Sequence, residues 1–160
     1  MIGALFKEAM SRFASGVTVV IGRVDGELHG MTVAAFASVS AEPPMVLVCL
    51  ALSSQLGASV RVGDSLSVSI LPGGAEALAL RFAGMDSHEG SRFDGVALEA
   101  EGGAVPLISG AAAGLLARVQ TITDAGDHRV FLLDVTGARA ATEASVPLVW
   151  WARDFAALLQ

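Results

Sequence analysis

An antiparallel β-barrel with a few flanking helices is the fold class this sequence predicts. Three observations carry that expectation. Six or more segments have strand character, tight-turn signals join several of them, and strands and helices do not alternate as a doubly wound sheet requires. At 160 residues one hydrophobic core suffices, so a single domain spanning 1–160 is expected.

Leu5, Phe6, Ala9, Met10 and Phe13 recur at three- and four-residue intervals and predict an amphipathic opening helix. Gly16 follows where a left-handed terminating residue would sit. GVTVVIGRV is rich in β-branched residues, and Asp25-Gly26 is a hairpin signal that leads into a second strand, ELHGMTVAAF. Pro43-Pro44 cannot donate to a ladder, so MVLVCLAL starts a new strand, whose unbroken apolar run predicts burial on both faces. SLSVSIL alternates polar and apolar residues, as a half-buried strand does. After Pro72-Gly73-Gly74, EALALRFAG predicts a helix ending near Gly84. Gly102-Gly103 beside Glu99 and Glu101 predicts an exposed loop. LLARVQTIT and HRVFLLDVTGARA flank DAGD as a second long hairpin, and PLVWW predicts a last strand before ARDFAALL.

Composition narrows the function classes. The chain is 53% apolar with mean hydropathy +0.62, high for a small domain with much surface to cover. No segment supplies the roughly 20 apolar residues of a membrane-spanning helix, so the excess predicts burial in a partner copy. Lys7, Glu8 and Arg12 interrupt the N-terminal region, no secretory signal is evident, and the cytoplasm is the expected compartment. A net charge of −6 argues against a general nucleic-acid or anionic-membrane surface. Cys49 is the only cysteine, which excludes an intramolecular disulfide and a thiolate metal cluster.

The common catalytic motifs are missing. No G-x-G-x-x-G follows a strand, no phosphate-binding G-x-x-x-x-G-K-[ST] exists, and no G-x-S-x-G marks a nucleophile elbow. His29, His88 and His128 lack the short spacings of metal ligands, so no metal is expected. Cys49 sits in an apolar run, where a buried, inert thiol is the default.

What stands out is the stretch from His29 to Ser54, which carries one charged residue, Glu42. Thr32, Ser38, Ser40, Ser53 and Ser54 offer hydroxyls, while Ala34, Ala35, Ala37 and Ala51 leave backbone amides uncovered. A planar ring bearing a phosphate needs such a seat: small side chains to lie against, backbone groups for its polar edge, and neutral donors for the phosphate. The same residues also suit an ordinary barrel strand with one face toward water, and composition alone leaves both readings open.

Motif order adds to this reading. FKEAMSRFASGVTVV, GMTVAAFASVSAEPPMVLVCL, LRFAG, GDH and PLVWWARDF occur in the order found in the flavin reductase domain family, which the chain resembles over almost its whole length. These proteins are FMN-binding split barrels that serve as reductase components of two-component flavin-dependent monooxygenases. The resemblance implies a six-stranded antiparallel split barrel and a homodimer. It implies hydride transfer from NADH or NADPH to FMN or FAD, with reduced flavin passed to a separate oxygenase.

The resemblance also implies site residues. Thr32, Val33, Ala34 and Ala35 would line the isoalloxazine, and Ser38, Val39 and Ser40 would continue toward the ribityl and phosphate. Cys49, Leu50 and Ala51 would end the strand beneath the flavin, and Ser53 and Ser54 fall where the family binds the phosphate. Arg81, Phe82 and Ala83 match a helix-end contact. Gly126, Asp127 and His128 match a motif at the nicotinamide face, where His128 would take part in the reaction. Trp150, Trp151 and Phe155 stand where C-terminal aromatics of the family include tyrosine, which this chain lacks, and Trp151 and Phe155 are assigned to the nicotinamide. Ala34 and Ala35 replace larger polar residues, and Ala117 replaces a cysteine. A flavin- or haem-binding split barrel without reductase activity, acting as carrier or sensor, is the alternative reading.

Overall fold

A computed structural model describes residues 2–100, 104–142 and 145–158. The opening helix α1 spans Ile2–Met10, and the strands β1 (Ser15–Gly16), β2 (Thr18–Val24), β3 (Glu27–Val33), β4 (Phe36–Ala41) and β5 (Pro44–Ala51) follow. Next come α2 (Gln55–Ser59), β6 (Ser65–Ile70), α3 (Glu76–Ala83), β7 (Leu98–Glu99) and β8 (Leu107–Ile108). The long pair β9 (Ala113–Ala125) and β10 (His128–Ala140) and the short pair β11 (Val149–Trp151) and β12 (Asp154–Ala156) complete the described elements.

Seven strands form one antiparallel sheet in the order β3-β2-β6-β9-β10-β5-β4. Val20 and Val33 from one half of it and Val48 and Phe131 from the other share a single buried cluster with Leu66 and Val119. The sheet must therefore curl around its own inner face. It does not close, because its two edge strands, β3 and β4, are not paired with each other. The chain steps from one edge to the other through Ala34-Ala35, so these residues bridge the split. Leu56 and Val60, in and just after α2, fill one end of the core.

The hairpin expectations hold. Asp25 and Gly26 take φ of 51° and 83°, the left-handed pair a two-residue turn needs, and Val24 faces Glu27 across it. Gly126, at φ 63°, turns β9 into β10. The cap of α3 is Gly84 at φ 69°, where the sequence put it.

Several expectations are corrected. The strand read through ELHGMTVAAF breaks at Ala34-Ala35 and becomes β3 and β4, which is why the sheet has seven strands instead of six. α1 ends at Met10, and Gly16 pairs with Val149 in a sheet instead of capping the helix. MVLVCLAL alternates: Val46, Val48 and Leu50 are buried, while Met45, Leu47 and Cys49 are only partly covered, since among the described residues no second layer lies on that face. β6 is the converse case, for two of its outward serines, Ser67 and Ser69, are buried as well. The segment before β8 lies over them, with Ser67 donating to the Pro106 carbonyl (2.5 Å) and Ser69 accepting from the Ile108 amide (3.0 Å). Within ARDFAALL, Asp154–Ala156 fold back as β12 against β11. The expected loop at Glu101, Gly102 and Gly103 lies outside the described residues.

A second buried cluster forms outside the curled sheet, where Val19 and Ile21 of β2 meet Ala79 and Phe82 of α3, with Leu71 and Leu148. β2 is thus buried on both faces, which its run of β-branched residues suits.

Candidate functional site

β3 is an edge strand, so one side of its backbone is free of ladder partners. Two cavities lie along it. The first, about 160 Å³, is lined by Thr32, Ala34, Ala79, Ala83, Trp150 and Phe155, together with Val17, Leu80 and Met85. Trp150 and Phe155 meet edge to face with ring centres 5.2 Å apart, which fixes the aromatic wall. The second, about 430 Å³, lies where His29, Gly30 and Met31 face Ser53, Ser54 and the 91–93 segment.

Between the cavities, Gly30 allows α3 to close on the strand. A Cβ there would lie 2.7 Å from Cε1 of the buried Phe82 and 3.0 Å from Cζ of Phe93. The Arg92 guanidinium crosses the same point, donating to the Phe82 carbonyl (3.1 Å) and, more weakly, to that of Gly30 (3.4 Å).

The predicted residues divide. Thr32, Ala34, Ala83 and Phe155 converge on the apolar pocket, and Ser53 and Ser54 on the larger cavity. Ala34 and Ala35 are exposed, and among the described residues their amides donate to no backbone carbonyl, although both carbonyls accept, from Phe36 and Cys49. Two bare N–H groups thus stand at the split. Val33, Leu50 and Phe82 are buried in the two cores, so only their backbones can face a ligand. Arg81 is turned away, with Nε 3.4 Å from Asp86 and a hydrogen bond of 3.0 Å to the Asp94 carbonyl.

The hydroxyls are less free than their residue types promise. Thr32 donates to the Ala79 carbonyl (2.6 Å), tying β3 to α3. Ser54 caps α2, accepting from the Gly57 amide (2.9 Å) and donating to the Ala51 carbonyl (2.7 Å). Among the described residues Ser53 has no such partner and stays available. Ser38, Val39 and Ser40 lie on β4 beside Val46 and Met45, toward the opposite end of β5 from Ser53. At about 3.3 Å per residue, Ser40 is on the order of 20 Å from Ser53, so one compact phosphate site does not join them within one chain.

The turn Gly126-Asp127-His128 comes back toward the split. His128 pairs with Ala51, and the Leu52 amide donates to the Asp127 carbonyl (3.0 Å), so the imidazole stands one strand from the Ser53 segment. Its Nδ1 is 2.7 Å from an Asp127 carboxylate oxygen. That hydrogen bond, and then the His128 charge, hold the Asp127 carboxyl below its usual range. Partial burial pushes the Cys49 thiol up, which agrees with an inert cysteine. Trp151 is exposed opposite Asp154 and lines neither cavity.

His29 and Arg92 also line the larger cavity, and no sequence signal marks them: His29 lacks metal-ligand spacing, and Arg92 sits in a loop without periodic pattern.

The family model described as "Flavin reductase like domain" matches residues 10–159. The chain belongs to the flavin reductase like family. Among curated relatives it is 38% identical to the reductase component of 4-hydroxyphenylacetate 3-monooxygenase from Thermus thermophilus, over 96% of this chain and 95% of that one. It is 36% identical to an NADH:riboflavin 5'-phosphate oxidoreductase from Streptomyces pristinaespiralis, covering 94% and 85%. Among solved structures, flavin reductase PheA2 superposes with a TM-score of 0.86 at 32% identity, covering all of both chains. The NADH:FAD oxidoreductase SgcE6 of Streptomyces globisporus gives 0.87 at 30%, covering 98% and 93%. The split-barrel reading of this flavin reductase like chain accords with these superpositions. No helix of the described residues is long and apolar enough to cross a membrane.

Proposed function

We propose that this chain is an NADH-dependent flavin reductase that moves a hydride from the nicotinamide to FMN or FAD and hands reduced flavin to a separate oxygenase. The observation that carries the reading is the split itself. Two bare amides at Ala34-Ala35 stand at the split, beside the apolar pocket that Ala34 lines and on from the strand edge that borders the polar cavity, in a chain whose relatives are named as NADH-dependent flavin reductases and monooxygenase reductase components. Those names favour NADH over NADPH.

These residues fit a flavin. Ala34, Ala35 and Ala83 leave room for a flat ring, the two amides suit its polar edge, and Ser53 has a hydroxyl to give a phosphate. When bound, the flavin supplies the hydride-accepting nitrogen, so the protein needs no nucleophile; its task is to hold two rings in reacting geometry. Thr32 and Val33 seat the ring through their backbone, Cys49 and Ala51 offer the outer face of β5, and Gly126, Asp127 and His128 border the nicotinamide. His128 orients that ring, with Asp127 fixing the imidazole. Phe155, packed on Trp150, closes the far wall.

The proposal includes a single domain working in the cytoplasm as a homodimer. α1 is pinned by its polar side, with Arg153 on Glu8 (3.1 Å) and the Ala152 amide on the Ser11 carbonyl (2.9 Å). Leu5, Phe6 and Met10 are left exposed, with Phe13 just beyond the helix, and a second copy is the natural cover. The outer face of β5 and β10, with Leu47, Cys49, Val130 and Leu132 partly covered, suits the same role. Light scattering at the 16.3 kDa of one chain would count against the dimer.

The decisive assay is stopped-flow absorbance with each flavin against each nicotinamide nucleotide, expected to show fastest flavin reduction with NADH. Flavin binding without reduction by either nucleotide would return the chain to a carrier or sensor.

A further inference from the structure

Beyond Val119 the strand β9 outruns the sheet. Its pairing with β6 ends at Arg118, so among the described residues 120–125 have β10 on one side and no strand on the other. Thr123, Asp124 and Ala125 are exposed. The tip of this hairpin carries the turn Gly126-Asp127-His128. On the β10 side the backbone is tied by the ladder to β5, which ends at His128 opposite Ala51, and by the Leu52 amide on the Asp127 carbonyl (3.0 Å). The Asp127 and His128 side chains bond each other, but the Asp127 side chain is 95% exposed, and among the described residues neither bonds another element. Such a pair keeps its own geometry and depends on the tip beneath it for its place.

One side chain fastens that tip to the body of the molecule. Among the described residues, the side-chain hydrogen bonds that leave residues 120–129 for another element come from Arg129. Its NH1 donates to the Gly57 carbonyl (3.2 Å) and, more weakly, to that of Ala58 (3.4 Å), in the last turn of α2, where a helix leaves carbonyls without partners. Its Nε donates to Asp124 (2.8 Å), so the same planar group also reaches across the hairpin to β9. α2 is a firm anchor. Leu56 is buried in the core, Ser54 caps the helix, and a Cβ on Gly57 would lie 2.0 Å from the Ala51 carbonyl, so α2 rests directly on the end of β5. Strand alternation then separates two tasks. Arg129 points inward with the buried Phe131 and Leu133, and His128 points outward on the face it shares with Ala51.

We propose that Arg129 is a positioning residue for hydride transfer, which holds His128 at the nicotinamide face by tying the tip of the β9-β10 hairpin to α2. The proposal rests on the flavin reductase reading and deepens it by naming what fixes the His128 turn.

The test compares the unaltered protein with Arg129→Met, Arg129→Lys, His128→Asn and the double variant Arg129→Met/His128→Asn. Amide hydrogen exchange of the unliganded protein reads the anchoring itself: in Arg129→Met the amides of residues 120–128 should exchange about tenfold faster while those of α2 hold. Stopped-flow absorbance at saturating NADH should show FMN reduction slowed by about tenfold, since a misplacement near 1 Å can cost about 100-fold. Kd for FMN, from fluorescence quenching, should change by less than about threefold, because α2 keeps its cap and its core contacts. Arg129→Lys keeps one charged donor and should lose less. Because Arg129 acts through His128, the double variant should be no slower than His128→Asn alone. Unchanged exchange at the tip or an unchanged reduction rate would overturn the proposal. Losses that multiply in the double variant, or FMN affinity that falls in step with the rate, would overturn it too, since either marks a general structural role. Should Arg129→Met fail to fold, Arg129→Lys and its double variant with His128→Asn are judged by the same criteria. An unaltered protein that reduces FMN with neither nucleotide would instead sink the reductase reading, so the two failures are distinguishable.

Discussion

The two halves of β3 make different environments from one strand edge. Around Thr32 and Ala34 the wall is aromatic and aliphatic, and the one hydroxyl there, on Thr32, is spent on the Ala79 carbonyl. Around His29 and Gly30 the wall carries a guanidinium, an imidazole and serines. The difference arises from what packs on each half. The body of α3 and the β11-β12 hairpin cover the first, while the loop after α3 and the start of α2 border the second. An edge strand can present an apolar seat and a polar seat a few residues apart because its neighbours, more than its own sequence, supply the walls.

Gly30 stands at the junction, and altering it should give the largest effect. Gly30→Ala forces its new methyl group against the Phe82 ring, which is fully buried and cannot swing aside. We expect a loss of about 1–3 kcal/mol of stability, read as a lowered Tm, with flavin affinity falling as both seats shift. Unchanged stability would mean that α3 is free to slide and that the two halves are not mechanically joined.

The serine pair sharpens the polar half. Ser54→Ala removes the α2 cap and should cost about 1 kcal/mol in urea unfolding, leaving Gly57 N–H unpaired. Ser53→Ala should leave stability within about 0.5 kcal/mol, since its hydroxyl has no partner among the described residues, but should weaken FMN more than riboflavin. Reversed outcomes would exchange the roles of the two residues.

The smallest effect is a titration. The Asp127 carboxyl is held low, so its bond to His128 is present above the ordinary carboxylate range and is lost only as pH falls through the lowered value. The side-chain carboxyl carbon signal of Asp127, followed by NMR, should therefore show its transition below the ordinary Asp range of about 4, and His128→Asn should return that transition toward the ordinary range. A transition at the ordinary Asp pKa would mean that Asp127 does not orient the imidazole.

Much of this was readable from local rules. Asp25-Gly26, Gly84 and the turn at Gly126 dictate their conformations because only certain residues tolerate positive φ, and β-branched runs announce strands whose cores they fill. The small residues from His29 to Ser54 left a ligand seat and an ordinary strand both open, and the resemblance is what marked the stretch as a flavin seat. The break at Ala34-Ala35 was not legible, since two alanines continue a strand as readily as they end one. Nor was the covering of Ser67 and Ser69, which depends on a segment 39 residues away in each case.

The sequence by itself determined the order of the elements, the turns, the apolar periodicities and the family, because each is written in residues close together along the chain. Only the tertiary structure decided which hydroxyls remain free, that Ser40 and Ser53 stand apart, and that His29 and Arg92 share a cavity. Those outcomes depend on which distant carbonyl lies within hydrogen-bond reach once the sheet curls, and neither the periodicity nor the motifs of a chain encode that distance.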